Sequence, residues 1–222
     1  MLTFRRDFRK HLPVGDLDFI AGLLSDGPGQ SEALFKLLTD PQTVDAILDQ
    51  PRLLDALLDR PDHLPISSRL YFYLITRHSL KRAGLDDPEL ADYVSGVLDS
   101  QLHRPRGGGA GASLFYLVDW LKDLERQPRD KHFQLYVMAG NTLLFLTGIF
   151  PNRIRERRRR RGAPGLEFYE DFGRFSFESA ARSARGTLED DALFLRIAAR
   201  FSQLRGALND ASERLLHLED PA

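Results

Sequence analysis

The sequence predicts an all-α protein: a single compact bundle of about six to eight helices, with short proline-started helices in its N-terminal third. Three observations lead to this prediction. Apolar residues recur with the period of a helix, and no stretch alternates as a strand does. The hydrophobic fraction of 42% supplies a core, and the charged fraction of 28% is typical of a globular rather than a disordered chain. A length of 222 residues fits one domain, taken as 1–222.

The chain begins with a basic segment, MLTFRRDFRKHL, over residues 1–12. Its charges stand where a signal peptide needs an apolar run, which argues against export by that route. We expect this segment to form a short helix that docks on the body of the protein; the alternative is a free basic amphipathic helix. Residues 16–26 predict the first helix of the bundle, which the Gly-Pro-Gly at 27–29 ends.

Three prolines follow at intervals of ten residues, at Pro41, Pro51 and Pro61. Proline suits the first turn of a helix, where its missing N–H would have no partner, so short helices are predicted here. The apolar faces of these helices are formed by Val44, Ile47, Leu48, Leu54, Leu57 and Leu58. Short proline-started helices of this kind loosely resemble chaperone-type modules. The resemblance implies an apolar groove near 41–62 that holds a partner helix.

Two longer helices and a flexible connector are predicted in the middle of the chain. The segment 67–84 begins with two serines that suit a helix N-cap, and it ends with a glycine that suits a C-cap. The Asp-Pro pair at 87–88 begins the next helix in the same way. The glycine-rich stretch 104–112 predicts a flexible linker and marks a sub-boundary within the domain.

A central helix over 130–150 is predicted to form the axis of the bundle. Polar residues such as Gln134 and Asn141 interrupt it, whereas a membrane span needs about 20 mostly apolar residues. We therefore predict a buried helix of a soluble bundle and no transmembrane segment. The next helix begins near residue 166, and Phe168, Phe172 and Phe175 are expected to mark its buried side.

The last predicted helix, from Thr187, carries a heptad seam with spacings of three and four. The seam is formed by Phe194, Ile197, Phe201, Leu204, Leu208, Ala211 and Leu215. Such a seam packs lengthwise along another helix. We expect this packing within the chain, because only three heptads are present; the alternative is a homodimer through 194–215.

The strongest local charge is an arginine cluster that follows the central helix. Its members are Arg153, Arg155, Arg157, Arg158, Arg159, Arg160 and Arg161. Only Glu156 opposes them within this stretch, although the formal charge of the whole chain is −1. Pro151 is expected to end or kink the central helix, so the dipole of that helix favours one or two of the arginines at most.

Two further explanations of the arginine cluster stay open. In the first, the cluster docks on residues 16–62, where ten acidic and three basic side chains give a formal charge of −7. In the second, it binds an external anionic partner: nucleic acid, an acidic membrane face or an acidic protein. Nucleic acid is the least favoured of these partners, because no aromatic residues are interleaved with the arginines and the whole chain is not basic.

Four polar residues on apolar helices form an internal pocket candidate: Tyr71, His78, Asp119 and Asn141. If they converge, the histidine could act as a base or a metal or haem ligand, with the aspartate orienting it. Gly140, beside Asn141, would let a planar ligand approach. The alternative is a satisfied internal hydrogen-bond network that fixes the register of the helices.

The sequence excludes several kinds of chemistry. The absence of cysteine removes disulfides, thiolate metal sites and cysteine nucleophiles, and it fits the cytoplasm. Glu-x-x-His pairs, zinc-hydrolase motifs and dinucleotide fingerprints do not occur, so no catalytic residue, metal or cofactor is predicted. The first hypothesis is a non-enzymatic binding or scaffold protein that holds a protein or other anionic partner through the groove and the arginines. A cofactor-binding protein or enzyme is the second, and non-specific nucleic-acid binding is the third.

Overall fold

The computed structural model describes residues 8–59, 65–103, 127–183 and 188–216, and it confirms the all-α class. Within these ranges there are eleven α-helices, one π-helical turn and no strand, more helices than the six to eight predicted. Two reasons are that the arginine stretch after Pro151 forms a helix of its own, and that the predicted last helix is divided at Arg200.

The chain divides into two compact units, with the boundary between Asp99 and Ser100. The helices of the first part are α1 (Val14–Leu24), α2 (Pro28–Leu38), α3 (Val44–Leu48), α4 (Pro51–Asp59), α5 (Ser68–Arg82) and α6 (Pro88–Leu102). Those of the second are α7 (Arg129–Ile149), α8 (Pro151–Arg161), α9 (Leu166–Ser183), α10 (Leu188–Ala199), α11 (Phe201–Ala211) and the π-helical turn (Ser212–Leu216). The single domain over 1–222 stays a prediction, and the sub-boundary at 104–112 lies outside the described residues.

Proline marks the starts of helices in the first unit. Pro51 and Pro88 begin α4 and α6, as predicted. Pro28, which was expected only to end the first helix, begins α2. Pro41 begins a turn, and α3 starts three residues later at Val44. Pro61 lies outside the described residues.

The apolar faces of α3 and α4 belong to the core of the first unit. Val44, Leu48 and Leu57 are all at most 2% exposed. In α4 the buried side chains are Leu53 and Leu57, one helical turn apart, whereas Leu58 is 42% exposed. Most of the side chains expected to line a groove near 41–62 are therefore core residues.

Ser67 caps α5, as the sequence suggested, and it also joins α5 to α1. Its Oγ accepts a hydrogen bond from the Leu70 N–H at 3.1 Å and donates to Asp16 Oδ2 at 2.6 Å. The Ser67 N–H donates to the other Asp16 oxygen at 2.6 Å. Asp16 is only 1% exposed, so these bonds satisfy a buried carboxylate.

Replacing Ser67 with alanine is expected to destabilise the first unit by about 1–2 kcal/mol, because it removes the helix cap and one partner of a buried carboxylate. Urea denaturation followed by circular dichroism measures this loss. Ser68→Ala is the matched control: Ser68 is exposed and donates to Asp99, so its replacement should change the unfolding free energy by less than about 0.5 kcal/mol. Equal losses in the two variants would contradict the assigned cap.

The core of the second unit forms where α7 meets α9 and α11. Leu143 of α7, Phe177 of α9 and Phe201 of α11 are all at most 1% exposed. α7 ends at Ile149 and α8 begins at Pro151 after a bend of 89°, which confirms the predicted break. Within the described ranges, no single helix combines the length and hydropathy of a membrane span; only α7 together with α8 does so, across that bend.

The heptad seam packs inside the second unit. Its buried side chains are Phe194, Ile197, Phe201, Leu204, Leu208 and Ala211, each 1% exposed or less. The helix that carries them is interrupted at Arg200, which separates α10 from α11. A homodimer through 194–215 would require these side chains to leave the core.

The buried face of α9 differs from the predicted one. Phe168 and Phe175, expected in the core, are 47% and 43% exposed. The buried residues of this helix are instead Tyr169, Gly173, Ser176, Phe177, Ser179, Ala180 and Ala181. Small side chains on this face let neighbouring helices approach closely: the ring of Phe201 lies 2.3 Å from the position that a Cβ on Gly173 would take.

Candidate functional site

The seven arginines of the cluster all lie on α8. Pro151 occupies the first turn of this helix, and Gly162 ends it in the left-handed conformation that favours glycine. Pro151 and Ile154 are buried and fasten the helix to the second unit. The arginines are therefore presented by an ordered, capped helix.

Most of the arginine side chains face solvent. Arg155, Arg158, Arg159, Arg160 and Arg161 are exposed, and Arg153 and Arg157 are half-buried. The side chains of Arg159 and Arg160 are 78% and 70% exposed. Glu156, the only acidic residue of α8, pairs with Arg160 at 2.5 Å and with Arg159 at 4.0 Å. The sequence of this helix thus has six more positive than negative charges.

The dipole of α8 itself stabilises part of this charge. The residues from Arg158 to Arg161 form its last turn, where positive side chains interact favourably with the helix C-terminus. The dipole of the central helix alone was expected to favour only one or two of the arginines. Because the stretch after Pro151 is a helix of its own, four arginines gain this interaction.

The acidic region of the first unit has basic partners of its own. Asp45 pairs with Arg9, and Asp49 pairs with Arg77 and Lys81. These partners lie outside residues 16–62, which is why the count of basic residues within that range missed them. Docking of the arginine cluster on this region stays a prediction, but two of the carboxylates already have partners.

The end of α8 lies against the start of α9. The Arg158 guanidinium lies 2.6 Å from the position that a Cβ on Gly165 would take, just before α9 begins. Burial raises the pKa of the Tyr169 hydroxyl, and the nearby charge of Arg157 partly offsets that rise. Phe168, beside Tyr169 in the first turn of α9, is 47% exposed. The ring centroids of Phe168 and Tyr169 are 5.6 Å apart, so an exposed ring lies next to the tyrosine that Arg157 affects.

Further aromatic rings continue from this point along α9 and α7. We call Phe168, Phe172, Phe175, Tyr136 and His132 the aromatic stripe. The first three are spaced four and three residues apart, so they share one face of α9. Successive ring centroids lie 6.0 Å apart from Phe172 to Phe175, 6.1 Å from Phe175 to Tyr136 and 6.3 Å from Tyr136 to His132. Sequence reasoning missed this surface because it placed the phenylalanines in the core.

The members of the internal pocket candidate are distributed over both units. Tyr71 and His78 lie on α5 of the first unit, and both are half-buried. Asn141 lies on α7 of the second unit and is 3% exposed, and Asp119 lies outside the described residues. A Cβ on Gly140 would lie 2.9 Å from the Phe177 ring, so a side chain of the protein takes the place envisaged for a planar ligand. Convergence of the four residues stays a prediction.

The first unit contains a buried ionic cluster that was not predicted from the sequence. Arg69, Tyr73, Arg77 and Lys81 lie four residues apart on α5, and Asp45 and Asp49 lie four apart near α3. A spacing of four places the residues of each set on one helical face, so the sequence does indicate two charged faces. No sequence rule, however, identified the faces that meet.

Arg77 is at the centre of one half of the ionic cluster. Its Nε and Nη2 donate to the two oxygens of Asp49 at 2.8 and 2.7 Å, and Nη2 also donates to Asp86. The Arg77 side chain is 5% exposed. Burial penalises the charged form of Asp49, but hydrogen bonds from Arg77 and Lys81 outweigh this effect and lower its pKa.

The other half of the cluster holds the N-terminal segment in place. Arg9 donates to both oxygens of Asp45, and its Nε lies 3.7 Å from Asp92. Asp92 also accepts from Arg69 at 2.7 Å, and burial raises its pKa despite these two cations. Phe8 is 7% exposed beneath the Arg69 guanidinium, whose distance to the ring centroid is 5.6 Å. Of the N-terminal segment, the structure describes residues 8–12; Phe8 and Arg9 dock on the first unit as expected, and residues 8–10 form a turn rather than a helix.

The chemistry of the two sites differs. In the ionic cluster, carboxylates pair with guanidinium groups, which suits the joining of helices rather than a reaction. Among the described residues, Arg9 Nε, Arg77 Nη1 and Asp92 Oδ2 are nevertheless buried without a hydrogen-bond partner. The buried Tyr73 hydroxyl has no hydrogen-bond partner among the described residues, and burial raises its pKa well above the usual range. The arginine helix instead has several guanidinium groups directed to solvent. Over the parts of the chain that the structure describes, no group of three or more histidines or acids is placed to hold a metal ion.

Compared with protein-family models, with curated proteins and with solved structures, the chain matches none of them. The function is therefore argued from the chemistry of the site.

Proposed function

We propose that this protein is a non-enzymatic helical binding protein that holds an anionic partner through the arginines of α8. The observation that carries the proposal is the combination of order and exposure in this helix. It is capped, fastened by two buried residues, and still directs side chains such as Arg159 and Arg160 to solvent at 78% and 70% exposure.

The choice of arginine supports an anionic partner. A guanidinium group is planar, stays charged at any physiological pH and can donate two parallel hydrogen bonds to a phosphate or carboxylate. A helix also fixes the spacing of these groups before the partner arrives. Less conformational entropy is then lost on binding than if the arginines lay on a flexible segment.

Local stabilisation accounts for only part of the cluster: the four arginines of the last turn interact favourably with the C-terminus of α8, and the other three do not gain this interaction. Exposed ion pairs contribute about 0–1 kcal/mol each, and Glu156 is the only acid of α8. Repulsion among neighbouring arginines opposes this small gain. A stretch with this much unbalanced charge is therefore better explained by a partner than by the stability of the fold.

We expect replacement of the five consecutive arginines from Arg157 to Arg161 by serine to weaken binding of inorganic polyphosphate at least about tenfold at low salt, and to reduce the salt dependence of binding. The reason is that each lost phosphate contact removes the release of one counterion. Calorimetric titration at several salt concentrations measures both effects. Native mass and sedimentation in low and moderate salt show whether an anion co-purifies with the wild type alone.

A matched control removes the same charge from the rest of the second unit, by changing Arg174, Arg182, Arg196, Arg200 and Arg214 to serine. This control should bind polyphosphate within about threefold of the wild type, because surface charges that are distant from the contact act only through the screened field. If the affinity for polyphosphate falls by the same factor in both variants, binding depends on net charge and the proposed site is wrong. If the wild type binds no polyanion, the proposed function is wrong.

A further inference from the structure

We infer that the anionic partner is a single-stranded nucleic acid, whose phosphates contact α8 while its bases stack on the aromatic stripe. This inference rests on the proposed function and adds the chemical class of the partner. Proteins that bind single strands without sequence preference combine a basic track for the backbone with exposed aromatic rings for the bases.

The two halves of such a surface approach each other at the start of α9, through Gly165 and Tyr169. Arg158 lies against Gly165, and Arg157 is close enough to Tyr169 to affect the pKa of its hydroxyl. Phe168, the residue before Tyr169, is 47% exposed, and Phe175 is 43% exposed two turns further along α9. A strand whose phosphates follow α8 would therefore meet exposed rings where that helix ends.

The rings of the stripe are held in position. Phe175 contacts Tyr136 edge to face at 6.1 Å and Phe172 at 6.0 Å. Such contacts restrain each ring without covering all of it, and the exposed fraction is free to stack on a base. In the sequence, the lack of aromatic residues between the arginines argues against nucleic-acid binding. The fold answers this point, because a neighbouring helix, α9, supplies the rings.

The distribution of charge answers the second argument against nucleic-acid binding. The whole chain has a formal charge of −1, but the first unit has 11 basic and 16 acidic residues, and the second has 20 basic and 16 acidic. The second unit thus has a formal charge of +4, and its positive charge is concentrated on α8, which alone accounts for +6. Acids beside the stripe also have partners: Glu170 pairs with Arg205, and Asp171 pairs with Arg174.

Exposed acids beside the stripe favour a nucleic acid over a membrane surface. Glu167 and Asp171 adjoin two phenylalanines of the stripe in sequence; Glu167 is exposed, and the Asp171 side chain is 73% exposed. Insertion of the rings into lipid would bring these carboxylates towards an apolar medium, which is costly. Stacking on a base leaves them in water.

The test compares two pairs of alanine substitutions in the second unit. The first pair, Phe168→Ala with Phe175→Ala, removes the exposed rings of the stripe. The control pair, Met138→Ala with Leu195→Ala, removes exposed apolar side chains outside the stripe, at 37% and 51% exposure. The probes are labelled oligo(dT) of about 20 nucleotides, a duplex of the same length, inorganic polyphosphate, and phosphatidylserine vesicles.

We expect the wild type to bind oligo(dT) more tightly than the duplex. The stripe variant should lose about tenfold in affinity for oligo(dT) and keep its affinity for polyphosphate, and the control pair should change neither. If the stripe variant binds oligo(dT) as the wild type does, or if the duplex binds equally well, stacking is wrong and the arginine site stands alone. Binding to vesicles without binding to oligo(dT) would replace the nucleic acid by a membrane. Failure to bind oligo(dT) and polyphosphate alike would overturn the proposed function as well.

Discussion

Replacement of Arg77 by methionine is expected to lower the unfolding free energy of the first unit by about 3 kcal/mol. Arg77 donates two hydrogen bonds to Asp49 and one to Asp86, and its side chain is 5% exposed. Removal of one member of a buried ion pair leaves the other charge desolvated and poorly compensated. Methionine fills a similar volume, so the loss reports the charge rather than a cavity.

The affected charge is mainly Asp49, whose side chain is 20% exposed. Lys81 would remain at 3.1 Å, but its side chain is 44% exposed and water screens its interaction. In the wild type, the pKa of Asp49 is lowered below the unfolded value of 3.8. The carboxylate therefore contributes stability at pH values above 3.8. This contribution is lost as the pH falls through the lower pKa of the folded state. In the variant, that contribution at neutral pH should shrink.

Two further variants make this result interpretable. Arg52→Met changes an exposed arginine of α4 and should alter the unfolding free energy by less than about 0.5 kcal/mol. The double variant Arg77→Met with Asp49→Leu should recover at least half of the loss, because an apolar pair can replace a buried ion pair. Urea denaturation followed by circular dichroism distinguishes the cases. If Arg77→Met is as stable as Arg52→Met, the ion pairs of Arg77 contribute nothing to stability.

The parts of the fold that the sequence predicted correctly depend on neighbouring residues. The Ser67 cap involves a partner three residues away, and Pro51 and Pro151 act on the turns that contain them. The arginine cluster was visible for the same reason, because its members are contiguous in the sequence. Local signals of this kind need no knowledge of which helices meet.

The parts that the sequence did not predict depend on contacts between distant residues. Arg77 and Asp49 are 28 positions apart, and Arg9 and Asp45 are 36 apart. Which face of α9 is buried also depends on distant residues. The helical period of its apolar residues shows that they share a face, but it does not show which helix packs against that face. The exposed phenylalanines follow from that choice, and so the aromatic part of the candidate site was missed although the arginines were found.

Gly173→Ala provides the sharpest test of how α9 is packed. In an isolated helix this substitution stabilises by about 0.5–1 kcal/mol, because alanine loses less conformational freedom than glycine. In the second unit the added Cβ would lie 2.3 Å from Phe201 Cζ and 2.6 Å from its Cε2. The Phe201 side chain is 1% exposed, and side chains in a protein core are closely packed, so its displacement is costly.

We therefore expect Gly173→Ala to destabilise the second unit by about 2 kcal/mol in spite of its better helix propensity, since overpacking of a core costs about 1–3 kcal/mol. Gly206→Ala is the matched control, because Gly206 lies within α11 and a Cβ there would meet nothing within 4 Å. That substitution should raise the unfolding free energy by about 0.5–1 kcal/mol. The two glycine-to-alanine changes thus have opposite expected signs in urea denaturation.

A second-site change separates overpacking from other causes. Phe201→Leu alone removes part of a buried ring and should destabilise, as large-to-small core changes do. Combined with Gly173→Ala it should cost less than the sum of the two single changes, because the smaller side chain leaves room for the new methyl group. Additive losses, or a stabilising Gly173→Ala, would mean that α9 presents a different face to α11. In that case Phe168 and Phe175 would not be exposed as described, and the aromatic part of the proposed nucleic-acid surface would lose its basis along with the packing.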